Sequence, residues 1–215
     1  MRAELFADSK DVWKWSVAIR KAKEEGQCIQ WIAMYRPAEN MHGDDERNVP
    51  NAIPEVEEFF RGERAFIADG HPACLSRTTV ICHQLGVEMF ANLDHYPSSE
   101  PKRKVYLEAI CKAISSRKTS KPYLVLLDPD DGIGQRQSNG KQFHKDHLRL
   151  VWNCLKEGDT MGIVQFKQHL RDGDVPNSWH LALQKVIAGI VGVSADKVVP
   201  HRWDIVCIYL VDRKA

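Results

Sequence analysis

The sequence predicts an α/β chain built on a doubly wound, mainly parallel sheet of about seven strands that ends in a C-terminal antiparallel hairpin. Three observations predict it. Short apolar runs alternate with helix-spaced segments from Ile29 to Val191, the pattern of successive βαβ units. Two of those runs, Ile29 to Tyr35 and Tyr123 to Leu127, are apolar almost throughout, as expected of strands covered on both sheet faces. Finally, Lys197 to Trp203 and Ile205 to Val211 are strand-like and nearly contiguous, which calls for a tight antiparallel return.

Taken in order, Leu5 to Glu25 carries Val12, Trp13, Ala18 and Ile19 at mostly helical spacing and stops at Gly26. The first strand follows, and Arg36 to Pro54 reads as a long polar loop with Gly43 and an acidic group at Asp44 to Glu46. A short helix from Glu55, a strand from Ala65 to Asp69, a helix from Ala73 to Gln84 and a strand from Val87 to Leu93 come next. Pro101 to Ser115 reads as a helix leading to the strand at Tyr123. Helix Gln142 to Lys156, strand Met161 to Phe166 and helix Ser178 to Val191 complete the alternation.

A chain of 215 residues can bury one substantial core, so residues 1–215 are read as one domain. Its 43% hydrophobic and 27% charged residues exclude the composition of disorder, and a net charge of +1 excludes a global basic field. A local basic face at Lys102 to Lys104 with Arg117 and Lys118 remains open, against the plainer reading of a solvated helix face. No apolar stretch reaches the length of a membrane span, and the start lacks the apolar run of a secretion signal, so a cytoplasmic protein is expected. The cysteines, Cys28, Cys74, Cys82, Cys111, Cys154 and Cys207, show no zinc-site spacing and read as reduced core residues.

Asp11-Val12-Trp13-Lys14-Trp15 precedes the first strand, and Asp128-Pro129 ends the strand at Tyr123. With the order of elements, these segments resemble the class I S-adenosylmethionine-dependent methyltransferases, a Rossmann-like fold. The helix segment resembles the Asp-Val-Leu-Lys-His of the bacterial ribosomal-RNA adenine-N6 group. The resemblance implies that Lys14 approaches S-adenosylmethionine and that Tyr35, Asp69 and Asp94, at the ends of the first three strands, flank it. It also implies that Asp128 meets the reacting amine of a nucleic-acid base; Asp130, in the same turn, is a second candidate catalytic residue. Two departures stand out: Asp130-Asp131-Gly132 replaces the family's Pro-Tyr, and residues 35–40 hold no glycine where the family bends around its cofactor.

Other chemistry competes at the same turn. Asp128, Asp130 and Asp131 are closely spaced carboxylates that suit Mg²⁺ or Mn²⁺ in a nuclease or phosphoesterase. Equally, Pro-Asp-Asp-Gly is a strong β-turn sequence. A non-catalytic binding protein on the same fold is the third reading. Gln165 and His169 follow the strand at Met161 and are expected to open toward the crevice at Asp128, as substrate-binding residues. Asp128-Pro129-Asp130-Asp131-Gly132 and Gln165 to His169 are also similar to segments of uncharacterised bacterial proteins with an Asp-Pro-Asp-Asn-Gly turn. His144 and His147, three apart, read as a surface pair. Trp13, Trp15, Trp31 and Trp152 read as core, whereas Trp203 could line a ligand site. The absence of a P-loop and of a Gly-x-Ser-x-Gly elbow disfavours a nucleotidase or an α/β-hydrolase.

Overall fold

The computed structural model describes residues 6–34, 47–69, 74–94, 97, 99–129, 132–134, 143–167, 178–204 and 206–214. The strands are β1 (Cys28–Ile32), β2 (Met89–Asn92), β3 (Tyr123–Leu127), β4 (Ile133–Gly134), β5 (Phe143–His144), β6 (Thr160–Phe166), β7 (Val198–Trp203) and β8 (Val206–Asp212). The helices are α1 (Ser9–Glu24), α2 (Pro54–Ala68), α3 (Thr78–Gln84), α4 (Glu100–Ser115), α5 (Lys145–Cys154) and α6 (Trp179–Val191).

Six strands form the main sheet in the order β2-β1-β3-β6-β8-β7. β2, β1, β3 and β6 are mutually parallel, while β8 runs antiparallel to both β6 and β7. The fold is therefore α/β with a mixed, mostly parallel sheet and an antiparallel end. Strand period explains why apolar runs were needed. Tyr123, Val125 and Leu127 face the core under α4, α5 and α6, whereas Leu124 and Leu126 face the core under α1, α2 and α3. All five are buried, and each full burial of a Leu or Val contributes about 1.5–3 kcal/mol.

The expected strand at Ala65 to Asp69 is instead the last turn of α2, with Asp69 as its exposed C-cap. Pro54 occupies the first turn, where its missing N–H costs nothing, and Val56, Phe60 and Glu63 are buried at helical spacing. Among the described residues the main sheet consequently has six strands, not seven. Other boundaries shift less: α3 begins at Thr78 after a 3₁₀ turn at Leu75–Arg77, and α5 at Lys145. β4 and β5, a parallel two-residue pair, were not anticipated. Among the described residues no helix is long and apolar enough to cross a membrane.

Candidate functional site

The carboxyl ends of β1 and β3 lie side by side. Asp128 donates its backbone N–H to the Ile32 carbonyl (3.0 Å), and Ala33 donates to the Asn92 carbonyl (3.1 Å), so β1 is gripped by both neighbours as it ends. From β1 the chain next enters the sheet at β2 on one side, and from β3 it proceeds to β6 on the other. A reversal of this kind leaves a crevice beyond the strand ends, the usual place for a ligand in an open α/β sheet. Met34, buried just past β1, is held at φ 47°. A non-glycine residue in the left-handed region costs of order 1 kcal/mol or more and is retained where surrounding structure imposes it.

α1 brings an ammonium group to this point. Asp8 caps the helix by accepting from the N–H groups of Lys10 (2.8 Å) and Asp11 (3.0 Å). Asp11 Oδ2 accepts from the Ala7 N–H (2.8 Å), and Ala7 itself sits at φ 73°. Asp11 Oδ1 lies 2.5 Å from Lys14 Nζ, one helical turn on. The same Nζ donates to Asp128 Oδ2 at 2.7 Å, joining residues 114 positions apart. Asp11, Lys14 and Asp128 are respectively 4%, 4% and 2% exposed. Trp15 and Trp31 pack edge to face at 4.9 Å, and their rings lie 5.8 and 6.0 Å from Nζ.

Burial opposes charge on both Asp11 and Lys14, and the outcome differs by how each is compensated. Burial works to lower the Lys14 pKa, but attraction to Asp11 and then Asp128, with their hydrogen bonds, carries it above its ordinary value. For Asp11 burial prevails. Its pKa is pushed up to about 6, because Lys14 is shared with a second carboxylate while Asp8 and Asp128 add repulsion. Lys14 thus stays protonated and cannot serve as a base or a Schiff-base nucleophile. It neutralises and orients Asp128, which is left to accept hydrogen bonds. An ammonium in contact with Asp128 also repels a divalent cation, which weakens the metal reading of this carboxylate.

The turn after Asp128 is pinned from below. Gly132 N–H donates to the Pro129 carbonyl (3.4 Å), an i to i+3 bond, and Phe143 N–H donates to the Gly132 carbonyl (3.0 Å). Gln165 is fully buried, accepts from the Ile133 N–H (2.7 Å) through Oε1, and donates to the Phe166 carbonyl (3.1 Å). Gly132 is at φ 67°, and a Cβ there would come within 2.2–2.4 Å of the Gln165 amide. The glycine is required twice over, by backbone conformation and by contact. Gln165 therefore braces the turn, where an open crevice position was expected.

Other expected residues are placed elsewhere. Asp69 caps the C-terminus of α2 and does not end a strand. Asp94 is exposed beyond β2 and donates its N–H to Asn92 Oδ1 (3.0 Å). With Gln30, Phe90 and Lys118 it borders a cavity of about 200 Å³ against α4. Tyr35, Asp130, Asp131 and His169 lie outside the described residues. His147 is buried against Phe143, and His144 caps α5 by accepting from Asp146 N–H (3.3 Å), so the two are not a surface pair. The basic face is also reduced. Arg103 donates to the Pro97 carbonyl (2.9 Å), and Arg117 pairs with buried Asp159 (2.5 Å).

Trp13, Trp15, Trp31 and Trp152 are buried, and Trp203 stacks on Trp13 with the Arg47 guanidinium 5.1 Å from its ring. Among the described residues no group of three or more His, Cys, Asp or Glu could hold a metal ion. Asp11 had been given no role in the sequence, although its spacing from Lys14 was the available signal. No protein-family model and no curated protein matches the chain.

Proposed function

We propose that the chain is an S-adenosylmethionine-dependent methyltransferase-like domain acting on an amino group of a nucleic-acid base. The observation that carries this reading is the buried contact between Lys14 of α1 and Asp128 at the end of β3. It joins the two segments on which the resemblance rests, at the strand reversal where ligands sit. The sheet order, with β8 inserted antiparallel between β6 and β7, supports a Rossmann-like methyltransferase fold. Met34 supports it too: its left-handed backbone supplies at the end of β1 a bend otherwise left to glycine.

S-adenosylmethionine supplies the methyl group. Met34 at the end of β1 and Asp94 past the end of β2 would border it, and Lys14, committed to Asp11 and Asp128, would act on it through Asp128. Asp69, the cap of a helix, has no part in it. Asp128 accepts a hydrogen bond from the exocyclic amine and fixes its nitrogen, while Lys14 keeps the carboxylate correctly turned. The test is incubation with methyl-labelled S-adenosylmethionine and mixed RNA or DNA, followed by digestion to nucleosides. Label is expected in an N-methylated amino base and should be lost with Asp128→Asn. No transfer to either nucleic acid would remove the reading.

A further inference from the structure

Three cysteines, Cys28, Cys82 and Cys207, are buried, whereas Cys111 and Cys154 are each half-buried on the outer helices. Cys111 lies within α4, and Cys154 is the final residue of α5. Both sulphurs point at one acceptor: Cys154 Sγ lies 3.2 Å and Cys111 Sγ 3.9 Å from the Leu150 carbonyl oxygen. The two sulphurs thus converge on one carbonyl oxygen across the α4–α5 contact. We propose that Cys111 and Cys154 are a thiol modification site that closes reversibly into a disulfide and staples α4 to α5.

Two features favour closure. Cys154 is followed directly by the C-cap Leu155, so the helix end can adjust its side chain without disturbing the sheet. Burial also pushes the Cys111 pKa up to about 12, which disfavours its thiolate. The first attack is therefore assigned to Cys154, at the end of α5. With a low-molecular-weight disulfide such as glutathione disulfide as oxidant, Cys154 thiolate attacks one sulphur and displaces a glutathione thiolate. Cys111 then attacks Cys154 Sγ in the mixed disulfide and displaces the second glutathione. The protein's two thiols lose two protons and two electrons, and one glutathione disulfide becomes two glutathiones.

The staple encloses the segment that contains β3, Asp128 and Gly132, and it joins the far end of the helix that begins beside β5. Oxidation should therefore rigidify the frame of the turn and raise the melting temperature by roughly 5–10 °C. The experiment is to equilibrate the intact protein with glutathione disulfide, label remaining thiols in denaturant, and map peptides by mass. Loss of two of the six thiols, with one Cys111 to Cys154 cross-linked peptide that reductant cleaves, is expected. Cys111→Ser should trap glutathione on Cys154, whereas Cys154→Ser should leave Cys111 unmodified. Unchanged thiol counts in the wild type, stable glutathione on both residues, or a cross-link to exposed Cys74 would each overturn the proposal.

Discussion

Lys14→Met removes the ammonium from the Asp11, Lys14 and Asp128 cluster and keeps a side chain of similar length between Trp15 and Trp31. Two charge-assisted hydrogen bonds, at 2.5 and 2.7 Å, disappear together. Each such bond contributes about 1.5–3 kcal/mol, and breaking a buried ion pair costs about 3–5 kcal/mol, so a loss of about 3–5 kcal/mol is expected at pH 8. That is a large share of the ~5–15 kcal/mol stability of a typical domain. The pH dependence carries the sign. Asp11 already has a raised pKa of about 6, so its contribution to stability is full below its ordinary 3.8 and is lost as pH rises through 6. Without Lys14 its pKa rises further, and each unit of that rise is worth about 1.4 kcal/mol. The variant should therefore recover part of its deficit at pH 5, where Asp11 takes up a proton. Urea unfolding at pH 8 and pH 5, with unchanged denaturant slope, measures both quantities. A loss below about 1 kcal/mol at pH 8, or an equal loss at the two pH values, would refute the reasoning.

Asp128→Asn keeps the shape and one acceptor oxygen, and Lys14 retains Asp11, so melting should show a loss of about 1–3 kcal/mol while ligand binding at the strand ends disappears. Gly132→Ala should cost about 2–3 kcal/mol by thermal unfolding, because alanine is strained at φ 67° and displaces Gln165 from the Ile133 N–H. Combining it with Gln165→Ala should give less than the sum of the two single losses in a double-mutant cycle. Asp159→Ala should be among the most damaging changes, at about 3–5 kcal/mol, since the fully buried carboxylate serves Arg117 and the N–H groups of Tyr123 and Lys156. Chemical denaturation of the purified variant gives the value.

Much of the frame was legible in the sequence because burial on two faces leaves an unbroken apolar run. Tyr123 to Leu127 matches β3 residue for residue, and the terminal hairpin appears as β7 and β8. The same logic misled at Ala65 to Asp69, a run too short to separate a strand from the end of a helix whose buried face begins at Val56. Lys14 and Asp128 were each singled out on local grounds. Their contact depends on how α1 lies over β3, which no local spacing encodes. Gln165 was expected in the crevice because it follows an apolar strand, but strand period alone does not say that its amide meets Ile133. Cys74, Cys111 and Cys154 were expected in the core with the other cysteines, but Cys74 is exposed and the other two are half-buried on α4 and α5, an arrangement set by helix packing and not by local spacing.

Isothermal titration of S-adenosylmethionine and S-adenosylhomocysteine into the wild-type protein, with Mg²⁺ and Mn²⁺ titrated separately, tests the central claim most directly. Saturable heat with both adenosyl ligands, lost or strongly reduced in Lys14→Met at a pH where that variant remains folded, is the predicted result. Silence with both ligands, or cation binding abolished by Asp130→Ala, would contradict it.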